Sequence, residues 1–328
     1  MDKVRWGLLS TAKINGELIP AIRASQRGEL VAVASRDQDR AQAYAAEREI
    51  PQAFGGYQAM LDSGVIDAVY ISLPNHLHAI WSIRAMEAGV HVLCEKPLAP
   101  SVEEVDQMIV ASRDTLCNLA EALMYRHHPQ TKIAGEWAHS GRLGEITVVR
   151  GAFNFTIQDR YDIRLVPEYG GGCLWDVGVY PLSFAQYILG GPPDRVTAEQ
   201  WLGDSGVDET LAGQMHYPGG QLAQIISSFR TAFYTPAEII GTEGRLFLTK
   251  AFNDLQTGRR MTFYPQEGEP QEVPVPEQEL YLGEVEDMNA AILDGAPNYL
   301  ALEESRDHIR TAVALYQSAD KGQVVYLD

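Results

Sequence analysis

The first 120 residues alternate between two kinds of apolar segment, and this alternation limits the fold more than any other feature. Short, continuous apolar runs of strand length alternate with longer segments whose apolar residues recur every three or four positions, as in helices. Strands that lack polar alternation are buried on both faces, which is typical of a parallel sheet covered by helices. The sequence therefore predicts an α/β fold whose N-terminal part is a Rossmann-like, doubly wound parallel sheet. The predicted strands are 4–10, 30–35, 68–73, 90–94 and 116–121, and the predicted helices are 14–22, 37–48, 76–88 and 101–112.

After about residue 122 the pattern changes to strands that follow one another across short turns. This pattern predicts a C-terminal α+β domain with a large, mostly antiparallel open sheet, and it divides the chain into domains 1–122 and 123–328. An open sheet usually covers one face with helices, so we expect a homodimer or homotetramer through the other face. The segment 265–287 has eight acidic residues and no Lys or Arg, and it predicts a solvated loop leading into a helix. The predicted strands are 144–155, 195–201, 211–217, 221–229, 237–240 and 245–249, and the helices are 129–139, 175–189, 284–293 and 302–319.

The charge of the chain limits its partners. Twenty-six basic and 44 acidic residues leave a net charge of -18, which disfavours nucleic acid and anionic lipid. No apolar run approaches the roughly 18 residues of a membrane span, and no signal region precedes the first strand. Cys94, Cys117 and Cys173 lack CxxC spacing, which predicts buried thiols in the reducing cytoplasm. We expect no metal site, because His76 and His78 stand two residues apart and do not share a helix face.

The segment after the first strand has the form of a dinucleotide-binding turn. In such turns a glycine allows the bend, a small residue permits close packing, and the helix N-terminus faces the pyrophosphate. Here Gly7 and Ala12 take the first and last positions, Leu9 replaces the middle glycine, and Ser10 and Thr11 offer hydroxyl donors to phosphate. The alternative is an ordinary strand–loop–helix turn. The residues predicted to bind the cofactor here are Gly7, Ser10, Thr11, Ala12, Lys13 and Ile14.

The end of the second strand predicts which dinucleotide is bound. NAD enzymes place Asp or Glu there for the ribose 2′-hydroxyl, whereas this chain has Ser35 and Arg36. A guanidinium pairs with a 2′-phosphate, and Arg40 lies one helical turn further on. The sequence therefore predicts NADP in preference to NAD. The alternative is that Arg36 is an exposed residue at a helix start.

Two further strand ends carry distinctive motifs. The third strand ends in Leu73-Pro74-Asn75-His76-Leu77-His78, and the fourth in Cys94-Glu95-Lys96-Pro97-Leu98. Together with the 7–14 turn and the segment Asp176-Val177-Gly178-Val179-Tyr180-Pro181, they resemble the Gfo/Idh/MocA oxidoreductase family over essentially the whole chain. Ser35-Arg36, the run Arg164 to Gly172 and the Tyr at position 180 look most like its NADP-dependent dihydrodiol and D-xylose dehydrogenases.

The resemblance implies hydride transfer between the nicotinamide and a hydroxyl or carbonyl carbon of a sugar or cyclic diol. It implies catalysis by Lys96 and Tyr180, with Tyr180 as acid/base, and Lys96 favouring the phenolate and positioning the hydroxyl. Asp176 stands four residues before Tyr180 and shares its face if the segment is a regular helix, from which Asp176 orients the substrate or Lys96. The alternative is that Asp176 caps a helix and Tyr180 is a packing residue. Many relatives have His where this chain has Tyr180, so the resemblance to inositol dehydrogenases is weaker.

The resemblance also implies further cofactor residues. Asn75 caps the next helix and lines the nicotinamide ribose, with Leu73 and Pro74 beside it, and Glu95 reaches the nicotinamide. His78 is either a cofactor residue or an ordinary helix-start histidine, and the alternative for Glu95 is an ion pair. Arg164 either approaches the substrate or forms a salt bridge. Two other functions remain open: NAD-dependent glycoside hydrolysis and a non-catalytic, dinucleotide-responsive regulator.

Overall fold

The computed structural model describes residues 3–253 and 258–327. The chain divides into two compact units, one containing the residues up to Met124 together with Tyr281–Arg306, and the other Tyr125–Leu280 with the residues from Asp307 onward. The first division lies two residues from the predicted boundary at 122. The segment Tyr281–Arg306 differs from the prediction, because it packs with the N-terminal unit.

The helices and strands are numbered in chain order. The strands are β1 (Val4–Leu9), β2 (Gly28–Ala34), β3 (Gln52–Phe54), β4 (Ala68–Ile71), β5 (His91–Glu95), β6 (Leu119–Ala122), β7 (Ile146–Thr156), β8 (Arg195–Leu202), β9 (Asp208–His216), β10 (Leu222–Ser228), β11 (Arg230–Tyr234), β12 (Ala237–Gly241), β13 (Gly244–Leu248), β14 (Met261–Pro265), β15 (Gln271–Glu272) and β16 (Val325–Tyr326). The α-helices are α1 (Asn15–Ala24), α2 (Gln38–Glu47), α3 (Tyr57–Leu61), α4 (His78–Glu87), α5 (Val102–Thr115), α6 (Met124–His127), α7 (Pro129–His139), α8 (Val179–Leu189), α9 (Leu282–Asp294) and α10 (Leu302–Lys321).

The first unit is a six-stranded parallel sheet in the order β3-β2-β1-β4-β5-β6, which confirms the predicted doubly wound fold. The central strands β1 and β4 are buried apart from Arg5 near the start of β1, as their largely apolar sequence predicts. The direction of winding reverses between β1 and β4, and ligands of such sheets bind at the carboxyl ends of the strands beside this reversal. The loops after β1, β4 and β5 therefore form the candidate site of this unit.

Helix α9 belongs to the first unit through specific polar contacts. The indole of Trp6, fully buried in β1, donates to Asn289 at 3.0 Å, and the Asn289 amide donates to Ser25 at 3.0 Å. Arg27 pairs with Asp294 at 2.8 Å. Buried polar groups need partners, and these partners lie more than 260 residues apart in the sequence.

The second unit contains a ten-stranded sheet in the path β15-β14-β13-β12-β7-β10-β9-β8-β16, with β11 paired to β7. The sheet is mostly antiparallel, as predicted, and its parallel pair is β7 with β10. Along β10, Ala223 and Ile225 are buried whereas Gln224 and Ile226 are exposed, so one face packs on the core. Strands β11 and β14–β16 were not predicted, because they are short or lie beside polar and proline-rich segments. The predicted 265–287 loop contains the short strand β15 before α9 begins.

Candidate functional site

The turn between β1 and α1 begins at Ser10, three residues later than predicted. Gly7 lies inside β1, where an added Cβ would meet Ile66 and Met60 side-chain atoms at 3.1–3.2 Å. Gly7 therefore permits close packing of the Ile66 and Met60 side chains against β1, and the prediction that it makes the bend is wrong. Thr11 to Ile14 form the turn, and Lys13 is exposed.

The turn is held by two residues that the sequence analysis missed. The Ser10 hydroxyl is buried, lies 2.7 Å from the Ser72 hydroxyl, and accepts from the Ala12 N–H at 3.0 Å. Asn15 donates to the Ser10 carbonyl at 2.8 Å and accepts from Ser72 at 2.6 Å. These bonds join the end of β1 to the end of β4, so the turn keeps its shape without the usual glycines. That Ser10 and Thr11 contact phosphate stays a prediction.

At the end of β2 two guanidinium groups lie near one phenol. Ser35 is buried, and Arg36 and Arg40 are exposed. Burial raises the pKa of Tyr57, and the positive charges of Arg36 and Arg40 oppose that rise. Both cations thus act on Tyr57, whose ring packs edge-on against Trp81 at 5.0 Å between centroids. Arg36 and Arg40 form a basic cluster beside Tyr57, a residue that the sequence analysis did not single out.

The segment after β4 differs from the prediction at its helix start. Asn75–Leu77 form a 3-10 turn, and α4 begins at His78 with Leu77 as its N-terminal flanking residue. The prediction that Asn75 caps this helix is therefore wrong. His78 is fully buried, and its two ring nitrogens each lie 2.8 Å from a carbonyl oxygen, those of Leu73 and Pro97. His78 thereby links the loop after β4 to the turn after β5, and burial lowers its pKa.

The turn after β5 is anchored by two carboxyl groups. Glu95 accepts a hydrogen bond from the phenol of Tyr70, and the role of Glu95 at the nicotinamide stays a prediction. Burial and the Glu95 charge raise the pKa of Tyr70 well above its ordinary value. The Leu98 N–H donates to buried Glu121 at 3.0 Å, and the Lys96–Pro97 peptide is cis. Lys96 is half-buried at the carboxyl edge of the sheet.

In the second unit Asp176 lies on a π-helix, Leu174–Gly178, which continues into α8. The prediction of a regular helix from residue 175 is wrong for these residues, so the expected four-residue register between Asp176 and Tyr180 does not apply. Close packing accounts for the glycine here, because a Cβ on Gly178 would lie 2.9 Å from Ser227 Oγ. Such π-helical turns occur frequently at functional sites.

The carboxylate of Asp176 pairs with Arg164. Arg164 Nε donates to Asp176 at 2.8 Å, and Arg164 Nη1 lies 3.3 Å from Asp162. The Asp176 and Asp162 charges raise the pKa of Arg164. Of the two predicted roles of Arg164, the structure contains the salt bridge, and its partner is a candidate catalytic residue.

Tyr180 stands in the first turn of α8 within an aromatic cluster. Its ring centroid lies 5.1 Å from that of Phe153, 5.7 Å from Tyr125 and 6.1 Å from Phe252, and the residue is 5% exposed. The Tyr125 hydroxyl lies 3.3 Å from the Tyr180 carbonyl, to which it donates. The aromatic cluster restricts the ring of Tyr180 and was not predicted, because its members come from distant elements.

Two further features concern the described residues. They contain no group of three or more His, Cys, Asp or Glu side chains arranged to hold a metal ion. Among the helices of residues 3–253 and 258–327, none has the length and apolarity that crossing a membrane requires.

Comparison with known proteins identifies the family. The family model described as "Oxidoreductase family, NAD-binding Rossmann fold" matches residues 4–122, and the "GFO/IDH/MocA C-terminal domain" matches residues 132–247. A D-xylose 1-dehydrogenase (NADP(+)) of Haloferax volcanii is 40% identical over 326 residues, covering 98% of this chain and 99% of that protein. The chain belongs to the Gfo/Idh/MocA oxidoreductase family.

Other known proteins are similar to the chain in sequence or in the whole fold. A trans-1,2-dihydrobenzene-1,2-diol dehydrogenase of Danio rerio is 32% identical over 249 residues, covering 74% of this chain and 73% of that protein. The crystal structure of KijD10, a 3-ketoreductase from Actinomadura kijaniata in complex with NADP and TDP-benzene, superposes with a TM-score of 0.90 at 28% identity, covering 97% and 98% of the two chains. The predicted resemblance to the xylose and dihydrodiol dehydrogenases is therefore confirmed.

Proposed function

We propose that the chain is an NADP-dependent oxidoreductase that transfers a hydride between the nicotinamide and a hydroxyl or carbonyl carbon of a sugar or cyclic diol. The observation that carries the choice of cofactor is the pair of guanidinium groups, Arg36 and Arg40, at the end of β2. Residues 35 and 36, where NAD enzymes carry an acidic side chain, are Ser and Arg. The nearby Asp37 caps α2 by accepting from the Arg40 N–H at 2.7 Å.

The turn between β1 and α1 is a second part of the first unit that suits a dinucleotide. Helix α1 has ten residues and begins at Asn15 without a side-chain cap. Its first three N–H groups donate to the carbonyls of Ala12, Lys13 and Ile14, so the helix dipole and the segment before the helix are what suit a pyrophosphate. The proposed phosphate-binding segment is Ser10 to Ile14, in which Ser10 also shapes the turn. Gly7 no longer belongs to the proposed site, since it is enclosed within β1.

Bound NADP supplies the hydride acceptor or donor. We assign proton transfer at the substrate hydroxyl to the Tyr180 phenol. The ammonium of Lys96 is assigned two roles, which are to position that hydroxyl and to favour the phenolate of Tyr180. Asp176, paired with Arg164, orients the substrate. Glu95, Leu73, Pro74, Asn75 and His78 shape the nicotinamide end, with His78 linking two of the loops. The relatives named for D-xylose, dihydrodiol and ketosugar chemistry support this substrate class.

An absorbance screen at 340 nm tests the proposal. Purified protein is incubated with NADP and aldoses, anhydro sugars or trans-dihydrodiols, and separately with NADPH and ketosugars. The expected result is net formation of NADPH in the first assays, or net consumption of NADPH in the second, with one class of compound. Turnover of a glycoside without net NADPH would instead indicate hydrolysis. Binding of NADPH without turnover of any compound would contradict the enzymatic proposal and favour a regulator.

We also propose a homo-oligomer formed through the outer face of the second sheet. Three apolar side chains of this face, Trp201, Ile226 and Tyr234, are 45–55% exposed on β8, β10 and β11. Exposed apolar side chains concentrated on a sheet face are typical of an interface. Light scattering coupled to gel filtration should give a dimer or tetramer mass, and a monomer mass across a wide concentration range would contradict the proposal.

A further inference from the structure

Asp208, the first residue of β9, is a buried carboxyl group with three hydrogen-bond donors. It is 2% exposed, accepts from the Leu174 N–H at 2.8 Å and from the Cys173 thiol at 3.1 Å through Oδ2, and from the Tyr316 phenol at 2.7 Å through Oδ1. Burial raises its pKa, while these hydrogen bonds oppose the rise. Burying a carboxyl group is costly unless donors surround it, and here three donors from two other parts of the chain do so.

One of these donors stands at the start of the π-helix. The first N–H groups of a helix have no partner within the helix, and Leu174 is the first residue of the π-helical segment. Asp208 therefore caps this helix from another element, 34 residues away in the sequence. The carboxyl group fits closely against the backbone before the helix, because a Cβ on Gly172 would lie 2.0 Å from Asp208 Oδ1.

The same helix is seated along its length. Cys173 Sγ lies 3.2 Å from Ser227 Oγ, and Gly178 packs directly on Ser227. The Gly172 N–H donates to the Arg164 carbonyl at 2.9 Å, and the Arg164 side chain holds Asp176. A shift at the helix start would thus displace both Asp176 and the loop residue that binds it, and would carry into the first turn of α8, where Tyr180 stands.

We propose that Asp208 is a positioning residue, which holds the π-helix Leu174–Gly178 in the register that places Asp176 and Tyr180. This inference rests on the proposed function of those two residues. Asp208 itself contacts the helix start, and its effect on the chemistry passes through the helix.

Two readouts on three variants test the proposal. Asp208→Ala removes all three contacts. Asp208→Asn keeps an oxygen toward the Leu174 N–H and turns its amide toward Tyr316, whose hydroxyl oxygen accepts. The matched control is Asp204→Asn, an equal change of charge at an exposed position in the turn before β9. Hydrogen exchange of residues 172–178 reports on the helix without activity, and kcat per NADPH-binding site reports on chemistry.

In Asp208→Ala we expect exchange in 172–178 to be roughly tenfold faster, because local opening no longer breaks the anchoring bonds. We expect kcat to fall by about 10²-fold, as for a reacting group misplaced by about 1 Å, with the Kd for NADPH unchanged. Asp208→Asn should remain within about fivefold of the parent kcat, since a neutral acceptor replaces the charged one. Asp204→Asn should match the parent protein in both readouts.

Unchanged exchange in Asp208→Ala, or faster exchange with the parent kcat, would overturn the proposal. If Asp208→Ala does not fold, hydrogen exchange of the Leu174 amide is measured at residue resolution in the parent protein. Exchange of that amide at the rate of an unprotected amide would overturn the proposal. If the parent protein turns over no substrate, the proposed function fails and the catalytic part of this inference falls with it. The exchange data still decide whether Asp208 anchors the helix.

Discussion

Arg164 Nε lies 2.8 Å from Asp176 Oδ2, so a residue of the loop before the π-helix holds the carboxylate that the helix presents. The side chain of Asp176 is 14% exposed and that of Arg164 is 45% exposed, which places the pair at the edge of solvent rather than in the core. An ion pair at such an edge contributes little to stability but fixes the direction of a carboxylate. We infer that this ion pair serves to orient the Asp176 carboxylate.

Replacing Arg164 with Met should therefore lower kcat/KM for the substrate by about tenfold or more, because Asp176 loses the group that orients it. The Kd for NADPH should not change. The matched control is Arg160→Met, in which the lost cation lies over the ring of exposed Tyr161 at 5.3 Å. Steady-state kinetics and NADPH fluorescence titration measure the two constants. Equal kcat/KM in both variants would contradict the role given to Arg164.

Replacing Arg36 or Arg40 with Ala should weaken NADPH binding about 10- to 100-fold, since each variant loses a charge-assisted contact worth about 1.5–3 kcal/mol. Binding of NADH, which lacks the 2′-phosphate, should change little. Arg113→Ala is the control, because it removes an exposed cation from α5, where Arg113 pairs with Glu303 at 3.3 Å. Fluorescence titration gives both affinities. Parallel losses for NADH and NADPH would exclude a 2′-phosphate site at this cluster.

Replacing Tyr180 with Phe should lower kcat by about 10²-fold or more, as expected for loss of the proton-transfer group. The melting temperature should remain close to that of the parent protein, because the ring keeps its contacts with Phe153 and Phe252. Lys96→Met should lower kcat similarly. Tyr187→Phe removes a phenol from the same helix and serves as the control. Parent-like kcat in both Tyr180→Phe and Lys96→Met would rule out this mechanism.

The pKa of Asp208 predicts a dependence of stability on pH. Burial raises this pKa above its ordinary value of 3.8, against the opposing bonds from Leu174, Cys173 and Tyr316. A carboxyl group whose folded-state pKa is raised contributes stability that is present at low pH and lost as the pH rises through that pKa. The melting temperature of Asp208→Asn relative to the parent should therefore increase as the pH rises above about 4. Calorimetry measures it, and a pH-independent difference would show that the folded-state pKa is not raised.

Replacing Ile226 with Glu should shift the protein toward the monomer, because the change buries a charge in the proposed apolar interface. Gln224→Glu introduces the same charge two residues away on the same face and tests whether charge alone is sufficient. Light scattering across a concentration series measures the mass. An unchanged oligomer in Ile226→Glu would place the interface elsewhere.

The elements with clear periodicity could be predicted to within a few residues. The helix at 129–139 was predicted with the bounds that the structure has, and β8 was predicted one residue short. The short elements β3, α3 and β16 were missed, because two to five residues are too few for a periodic pattern to emerge. The bend after β1 was misplaced because the apolar run continues through Gly7 to Leu9, so the strand ends later than the glycine suggests.

The sequence by itself determined the two kinds of sheet, the turn at Lys96 and the basic residues after β2, because apolar periodicity and the residues at strand ends are local properties of the chain. Only the tertiary structure decided that Ser72 and Asn15 hold the first turn, that Arg164 binds Asp176, and that Asp208 caps the π-helix. The two residues of each of these hydrogen bonds lie 5 to 62 positions apart in the sequence, and packing brings them together. Their side chains satisfy one another's hydrogen bonds only after the sheets have formed, so no local pattern records them.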